Sequence, residues 1–119
     1  MKLKWKFKSN GAINSSPVIK NGIIYFGSHD SYFYGLEIES GEKLFSFKTK
    51  NPINFSSIVS EQIIYFSDVT RLYALDLKNY KENWIFWKGE IYSSPFVYKT
   101  IIFICVDHKI IALDKKVVK

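Results

Sequence analysis

The sequence predicts an all-β fold built from repeated four-stranded antiparallel blades, and three observations predict it. One short phrase recurs about forty residues apart: Ile13-Asn14-Ser15-Ser16-Pro17-Val18-Ile19, Ile53-Asn54-Phe55-Ser56-Ser57-Ile58-Val59 and Ile91-Tyr92-Ser93-Ser94-Pro95-Phe96-Val97. Ten residues past each start comes an apolar, aromatic-rich run: Ile23-Ile24-Tyr25-Phe26, Ile63-Ile64-Tyr65-Phe66 and Ile101-Ile102-Phe103-Ile104. A small residue then sits in a third matched phrase: Tyr34-Gly35-Leu36-Glu37, Tyr73-Ala74-Leu75-Asp76 and Ile111-Ala112-Leu113-Asp114. Short strands repeating at this period are the mark of a β-propeller-type array. Composition agrees, because 47% of the 119 residues are hydrophobic and 18% are aromatic, the side chains that suit a pleated, half-buried surface.

Alternation and turn signals place the elements in order. Leu3–Lys8 alternates Lys with Leu3, Trp5 and Phe7, the pattern of an outer strand with one wet side. Asn10-Gly11 breaks it. Ser16–Lys20 is joined through Asn21-Gly22, a two-residue hairpin signal, to Ile23–Gly27. The polar run Ser28-His29-Asp30-Ser31 turns the chain into Tyr32–Glu37, and Glu39-Ser40-Gly41 turns it again into Glu42–Lys48. The second unit repeats this with Ser56–Ser60, Ile63–Ser67, Arg71–Leu77 and Glu82–Trp87. The third supplies Ser94–Tyr98, Ile101–Val106 and Lys109–Leu113. No segment has helical periodicity.

The third unit is one strand short, and Lys4-Trp5-Lys6-Phe7 aligns with the outer strands Leu44-Phe45-Ser46-Phe47 and Asn83-Trp84-Ile85-Phe86. The chain therefore reads as a single propeller-repeat domain over residues 1–119. Blade 1 covers about 9–48, blade 2 about 49–88, and blade 3 about 89–114 plus the outer strand 3–8. Three blades make a partial propeller, since closed rings use about four to eight. Two copies joined head to tail, each lending its first strand to the other's last blade, would make six blades and leave no sheet edge bare.

Charge narrows the choice of partners. The net charge is +6, but Arg71 is the sole arginine, and phosphate or base-edge readout favours the bidentate guanidinium. The lysines are dispersed apart from Lys2, Lys4, Lys6 and Lys8, so nucleic acid is not the expected partner. One cysteine, Cys105, permits no intrachain disulfide. No apolar stretch reaches the length of a membrane span, and no leader of the secretory kind is visible. As written, the chain is expected in the cytoplasm; as a piece of a longer protein it would be expected outside it.

At Ala74-Leu75-Asp76-Leu77-Lys78-Asn79-Tyr80-Lys81-Glu82-Asn83-Trp84 the chain resembles the tryptophan-docking repeat of the pyrroloquinoline-quinone-like β-propellers. Gly35-Leu36-Glu37-Ile38-Glu39-Ser40-Gly41-Glu42-Lys43-Leu44-Phe45 keeps the spacing and the turn glycine, with Phe in place of Trp. Ala112-Leu113-Asp114 opens a third copy whose aromatic end Trp5 could supply from another chain. The likeness runs from Leu3 to Asp114. It implies that Trp5, Phe45 and Trp84 are structural rings that stack on the small residues Gly35, Ala74 and Ala112 of neighbouring blades. Burying each ring is worth on the order of 1.5–3 kcal/mol. The family holds quinone-dependent dehydrogenases and also non-catalytic scaffolds, such as the lipoprotein of the outer-membrane β-barrel assembly machinery. The dehydrogenase branch uses full rings, a calcium, a catalytic Asp and an adjacent-cysteine disulfide. Nothing here matches those residues, so the resemblance implies the fold and not the quinone.

The remaining chemistry-bearing residues have simpler explanations. His29-Asp30 and Asp107-His108 occupy equivalent turns and could together hold a divalent metal, but the second unit offers Val69-Thr70 there, and polar residues belong in tight turns. Cys105, between Ile104 and Val106, reads as a small strand hydrophobe rather than a nucleophile paired with His108. Glu37, Asp76 and Asp114 recur with the repeat, which marks them as turn residues accepting backbone hydrogen bonds rather than acid–base catalysts. Asn14-Ser15-Ser16 and Asn54-Phe55-Ser56 match the glycosylation triplet by chance.

No catalytic, cofactor-binding or metal residues are therefore expected, and no cofactor. The expected function is a non-catalytic propeller module that binds a protein or peptide, as a homodimer or within a larger propeller. The alternatives are a remnant or subunit of a quinone-dependent dehydrogenase, and a structural segment completing a propeller encoded elsewhere.

Overall fold

The computed structural model describes residues 1–87 and 89–116, and the side chains of residues 84, 85 and 87 lie outside that description. Among the described residues it forms antiparallel strands and no helix, so none is long and apolar enough to cross a membrane. The first sheet holds β1 (Val18–Lys20), β2 (Ile23–Gly27), β3 (Tyr32–Glu37) and β4 (Lys43–Lys48) in chain order. The second repeats it with β5 (Ile58–Ser60), β6 (Ile63–Ser67), β7 (Arg71–Asp76) and β8 (Lys81–Trp87). The third holds β9 (Phe96–Tyr98), β10 (Ile101–Val106) and β11 (Lys109–Asp114). The sheets stand side by side as propeller blades, and their inner strands β1, β5 and β9 approach one another.

The inner strands begin two residues later than the repeat predicts. Pro17 and Pro95 carry no N–H for a ladder. The preceding amides are also engaged elsewhere, because Ser16 N donates to Ser56 Oγ (2.9 Å) and Ser56 N donates to Ser94 Oγ (3.0 Å). The first two inner strands are thus each tied to the next blade before their own ladders start. Leu3–Lys8, expected as a strand, joins none of the sheets among the described residues and lies against the first blade through Trp5 and Phe7.

Alternation sorts the side chains onto two faces of each blade, and the faces meet in two seams. The first seam brings Tyr25 and Phe33 of blade 1 against Ile64, Phe66, Tyr73 and Leu75 of blade 2, with Phe33 and Phe66 stacked at 3.9 Å. The second brings Tyr65, Leu72 and Ala74 of blade 2 against Ile102, Ile104 and Val106 of blade 3. Ile53, where blade 2 begins, presses on Gly27 so closely that a Cβ there would lie 2.2 Å from Ile53 Cγ2. Gly27 is therefore small to admit its neighbour.

Candidate functional site

Each blade is fastened at its β2–β3-type turn by a carboxylate. Asp68 is buried and accepts hydrogen bonds from Lys50 N, Asn51 N, Thr70 N, Arg71 N and the Tyr73 hydroxyl. Asp30 accepts from Asn10 N, Tyr32 N and the Tyr34 hydroxyl. Asp107 accepts from Glu90 N. In every case the carboxylate ties the segment entering the blade to the turn inside it. Burial by itself pushes the Asp30 carboxyl up, but the bonds from Tyr34, Asn10, Tyr32 and Ser28 outweigh it and hold the group below the usual carboxylate range. The partner phenols move the other way. Tyr34 is raised by burial and then by Asp30, and Tyr73 is pushed up to about 12 by burial and then by Asp68.

These carboxylates are thus committed to the backbone. The aligned repeat brings out Asp30 and Asp107 and leaves the roles of Asp68, Tyr34 and Tyr73 unmarked. The repeat obscured them because the three turns differ in length. His29 Nε2 lies 3.0 Å from Asn14 Nδ2, and His108 is exposed. Among the described residues no three His, Cys, Asp or Glu gather as a metal group. The turn roles of Asp76 and Asp114 are plain, since their carboxylates accept from Lys78 N and Lys116 N, while Glu37 accepts from Ser40 Oγ. Cys105 is half-buried on β10, and its N–H donates to Ser93 Oγ.

Trp5 and Phe45 meet turn residues rather than the small strand residues. Trp5 donates its indole N–H to Ile38 O (2.9 Å) and lies over Gly41, where a Cβ would stand 2.5 Å from the indole. Gly41 has φ of 77°, so the turn calls for glycine on both counts. Phe45 stacks at 4.4 Å on Tyr80, the equivalent turn residue of blade 2. Burial first, and then the neighbouring Tyr80 hydroxyl, raise the Tyr25 phenol above its ordinary value. Gly35 instead pairs with Phe45 across its own sheet and makes room for the Tyr25 ring. Ala74 faces blade 3, and Ala112 is exposed. The backbone of Trp84 pairs with Ala74, and its side chain lies outside the described residues.

Among the described residues, two blade surfaces stay open. On blade 3, Phe96, Tyr98 and Ile110 are exposed along the face opposite the second seam. On blade 1, an apolar groove of about 210 Å³ lies between Trp5, Phe7, Ile13 and Leu36.

No family model matches the chain. Over 40 residues, a third of this chain (33%) and 10% of the relative, it is 40% identical to the uncharacterized protein YxaL of Bacillus subtilis. Among solved structures it is similar to BamB from Moraxella catarrhalis, with a TM-score of 0.77 and 14% identity over 93% of this chain and 37% of that one. It is also similar to the quinohemoprotein alcohol dehydrogenases ADHIIG of Pseudomonas putida HK5 (TM-score 0.79, 17% identity, 93% of this chain) and of Comamonas testosteroni (0.75, 20%, 89%). The chain spans 20% of each dehydrogenase. At these identities the likeness is one of fold, that of blades from a β-propeller of the quinone-repeat type.

Proposed function

We propose that this chain is a non-catalytic propeller-repeat module that binds protein, with its open blade faces as the contact surface and further blades, a second copy among them, as partners. One observation carries the reading. The position filled by the buried Phe33 and Leu72 in the two seams is exposed on the outer face of blade 3 as Ile110, beside the exposed Phe96 and Tyr98. Contiguous exposed aromatic and aliphatic side chains on a sheet mark an interaction surface. The likeness to BamB and the scaffold branch of the resembled family support it. The dehydrogenase reading has the likeness of fold to two alcohol dehydrogenases in its favour. Against it, the turn carboxylates Asp30, Asp68 and Asp107 are occupied by backbone donors.

Panning a phage-displayed peptide library on the immobilised chain tests the reading. Binding of protein at this face, whether of a library peptide or of a second copy, should be lost in the double variant Phe96→Ser/Ile110→Ser, while the strand circular dichroism of that variant stays close to the parent's. Pyrroloquinoline quinone with calcium should leave the melting temperature unchanged and reduce no dye. Dye reduction in the presence of an alcohol would replace the scaffold with the enzyme.

A further inference from the structure

The two seams inside the chain are copies of one another, and the open faces continue the same series. Ile53 and Ile91, at the start of blades 2 and 3, are 0% and 3% exposed, whereas Ile13 at the same place in blade 1 is 43% exposed. Phe33 and Leu72, on the faces that look toward the next blade, are 1% and 0% exposed, and their counterpart Ile110 is 75% exposed. The leading face of blade 1 and the trailing face of blade 3 are thus the two halves of a third seam.

The N-terminal segment supplies the second observation. It lies on blade 1 as β4 lies on blade 2. Phe47 meets Phe66 (5.8 Å, 79°) and Tyr73 (5.5 Å, 72°) edge-on, and Phe7 meets the equivalent Phe26 (6.0 Å, 66°) and Tyr34 (5.1 Å, 64°) in the same way. Trp5 lies over Gly41 as Phe45 lies over Tyr80. Residues 5–7 therefore occupy the place of a fourth strand belonging to a preceding blade. Among the described residues, β11 pairs on one side only and offers the edge of a blade that has three strands.

We infer that the occupant of both open faces is a second copy of this chain. Residues 3–8 of each copy add antiparallel to β11 of the other, giving six blades about a two-fold axis. The inference rests on the reading of the open faces as protein-contact surfaces and names the protein. It extends two contact series across the new seam. Ser94 N reaches Ser16 Oγ of the second copy, continuing Ser16 N to Ser56 Oγ and Ser56 N to Ser94 Oγ. Ile13 of the second copy lies against Cys105, as Ile53 lies against Gly27 at the equivalent place.

That last contact gives the test. Ile13→Cys, oxidised with diamide in the otherwise unaltered chain, should form a covalent dimer with no free thiol left. The unaltered chain and Ile13→Cys/Cys105→Ser should not give this closed product. Sedimentation equilibrium on the unaltered chain should show a dimer. A monomer in sedimentation, or Ile13→Cys that keeps both thiols free while melting like the parent, overturns the inference. A ladder of covalent polymers overturns the two-copy ring. If thiols stay free while library peptides still require Phe96 and Ile110, the second copy is ruled out and the protein-binding reading stands.

Discussion

At the residue scale, two positions show how a repeat is held by unlike side chains. Gly41 and Tyr80 occupy the same turn, both with positive φ (77° and 59°), yet one is covered by an indole and the other carries a ring of its own. Trp5 needs the missing Cβ of Gly41, while Phe45 uses the Tyr80 ring. Gly41→Ala should therefore cost about 2–4 kcal/mol, combining left-handed strain with partial loss of the packing of the half-buried indole. Tyr80→Gly should cost about 1–3 kcal/mol through loss of the aromatic stack and its burial. Urea melts of the two variants check this, and a Gly41→Ala chain as stable as the parent would refute the account of Trp5. Asp68 is the sharper case. It is buried and accepts from four backbone amides and one phenol, so Asp68→Ala leaves donors without partners. We expect a loss of about 3 kcal/mol or more, with the turn opening first in hydrogen exchange. The sequence could not have ranked Asp68 above Asp30. The two look alike in the text, and only burial tells them apart.

At the scale of the element, the strands were the legible part, and their ends were not. Hydrophobic alternation located β2, β3, β6, β7 and β10 closely, because each is pinned on two sides by ladders. The inner strands were read two residues too long, because the amides of Ser16 and Ser56 bond across to the next blade, which no local pattern records. The docking residues were legible as types and not as pairs. Spacing picks out Trp5, Phe45, Gly35 and Ala74, but which ring meets which residue depends on the twist between blades. The hairpins carry their own prediction. Asn21-Gly22 has both residues at positive φ (52° and 77°), the geometry that Asn-Gly favours. Glu61 and Lys99 sit at the equivalent first position with φ of 57° and 54°, where a side chain of that kind is strained. Glu61→Asn and Lys99→Asn should each stabilise the chain by about 0.5–1 kcal/mol. A thermal melt in which both variants fall below the parent would show that contacts of the long side chains outweigh the strain.

At the scale of the whole molecule, the seams place phenols where water is scarce, and this sets a limit on alkaline stability. Tyr25, Tyr34, Tyr65 and Tyr73 are all raised above their ordinary value, in each case first by burial. For Tyr34 and Tyr73 the neighbouring carboxylates Asp30 and Asp68 add to the shift, and for Tyr73 the group reaches about 12. A phenol whose folded value exceeds its unfolded value, about 10, favours the fold as long as it stays protonated. Its contribution is complete below pH 10 and disappears as the pH climbs through the folded value. Because Tyr25, Tyr65 and Tyr73 lie in the seams, ionising any one of them puts a charge between two sheets, and ionising Tyr34 puts one under the N-terminal segment on blade 1, so the seams should fail together. The melting temperature should therefore hold up to about pH 10 and fall steeply toward pH 12, with tyrosinate absorbance rising in step with loss of strand circular dichroism. Tyr73→Phe removes one titrating group and also a donor to Asp68. It should lower stability at neutral pH by about 1 kcal/mol, while its decline above pH 10 is shallower than the parent's. Parallel curves for parent and variant from pH 10 to 12 would mean that Tyr73 ionises without opening the blade, and that the seams do not bind its proton more tightly than the unfolded chain does.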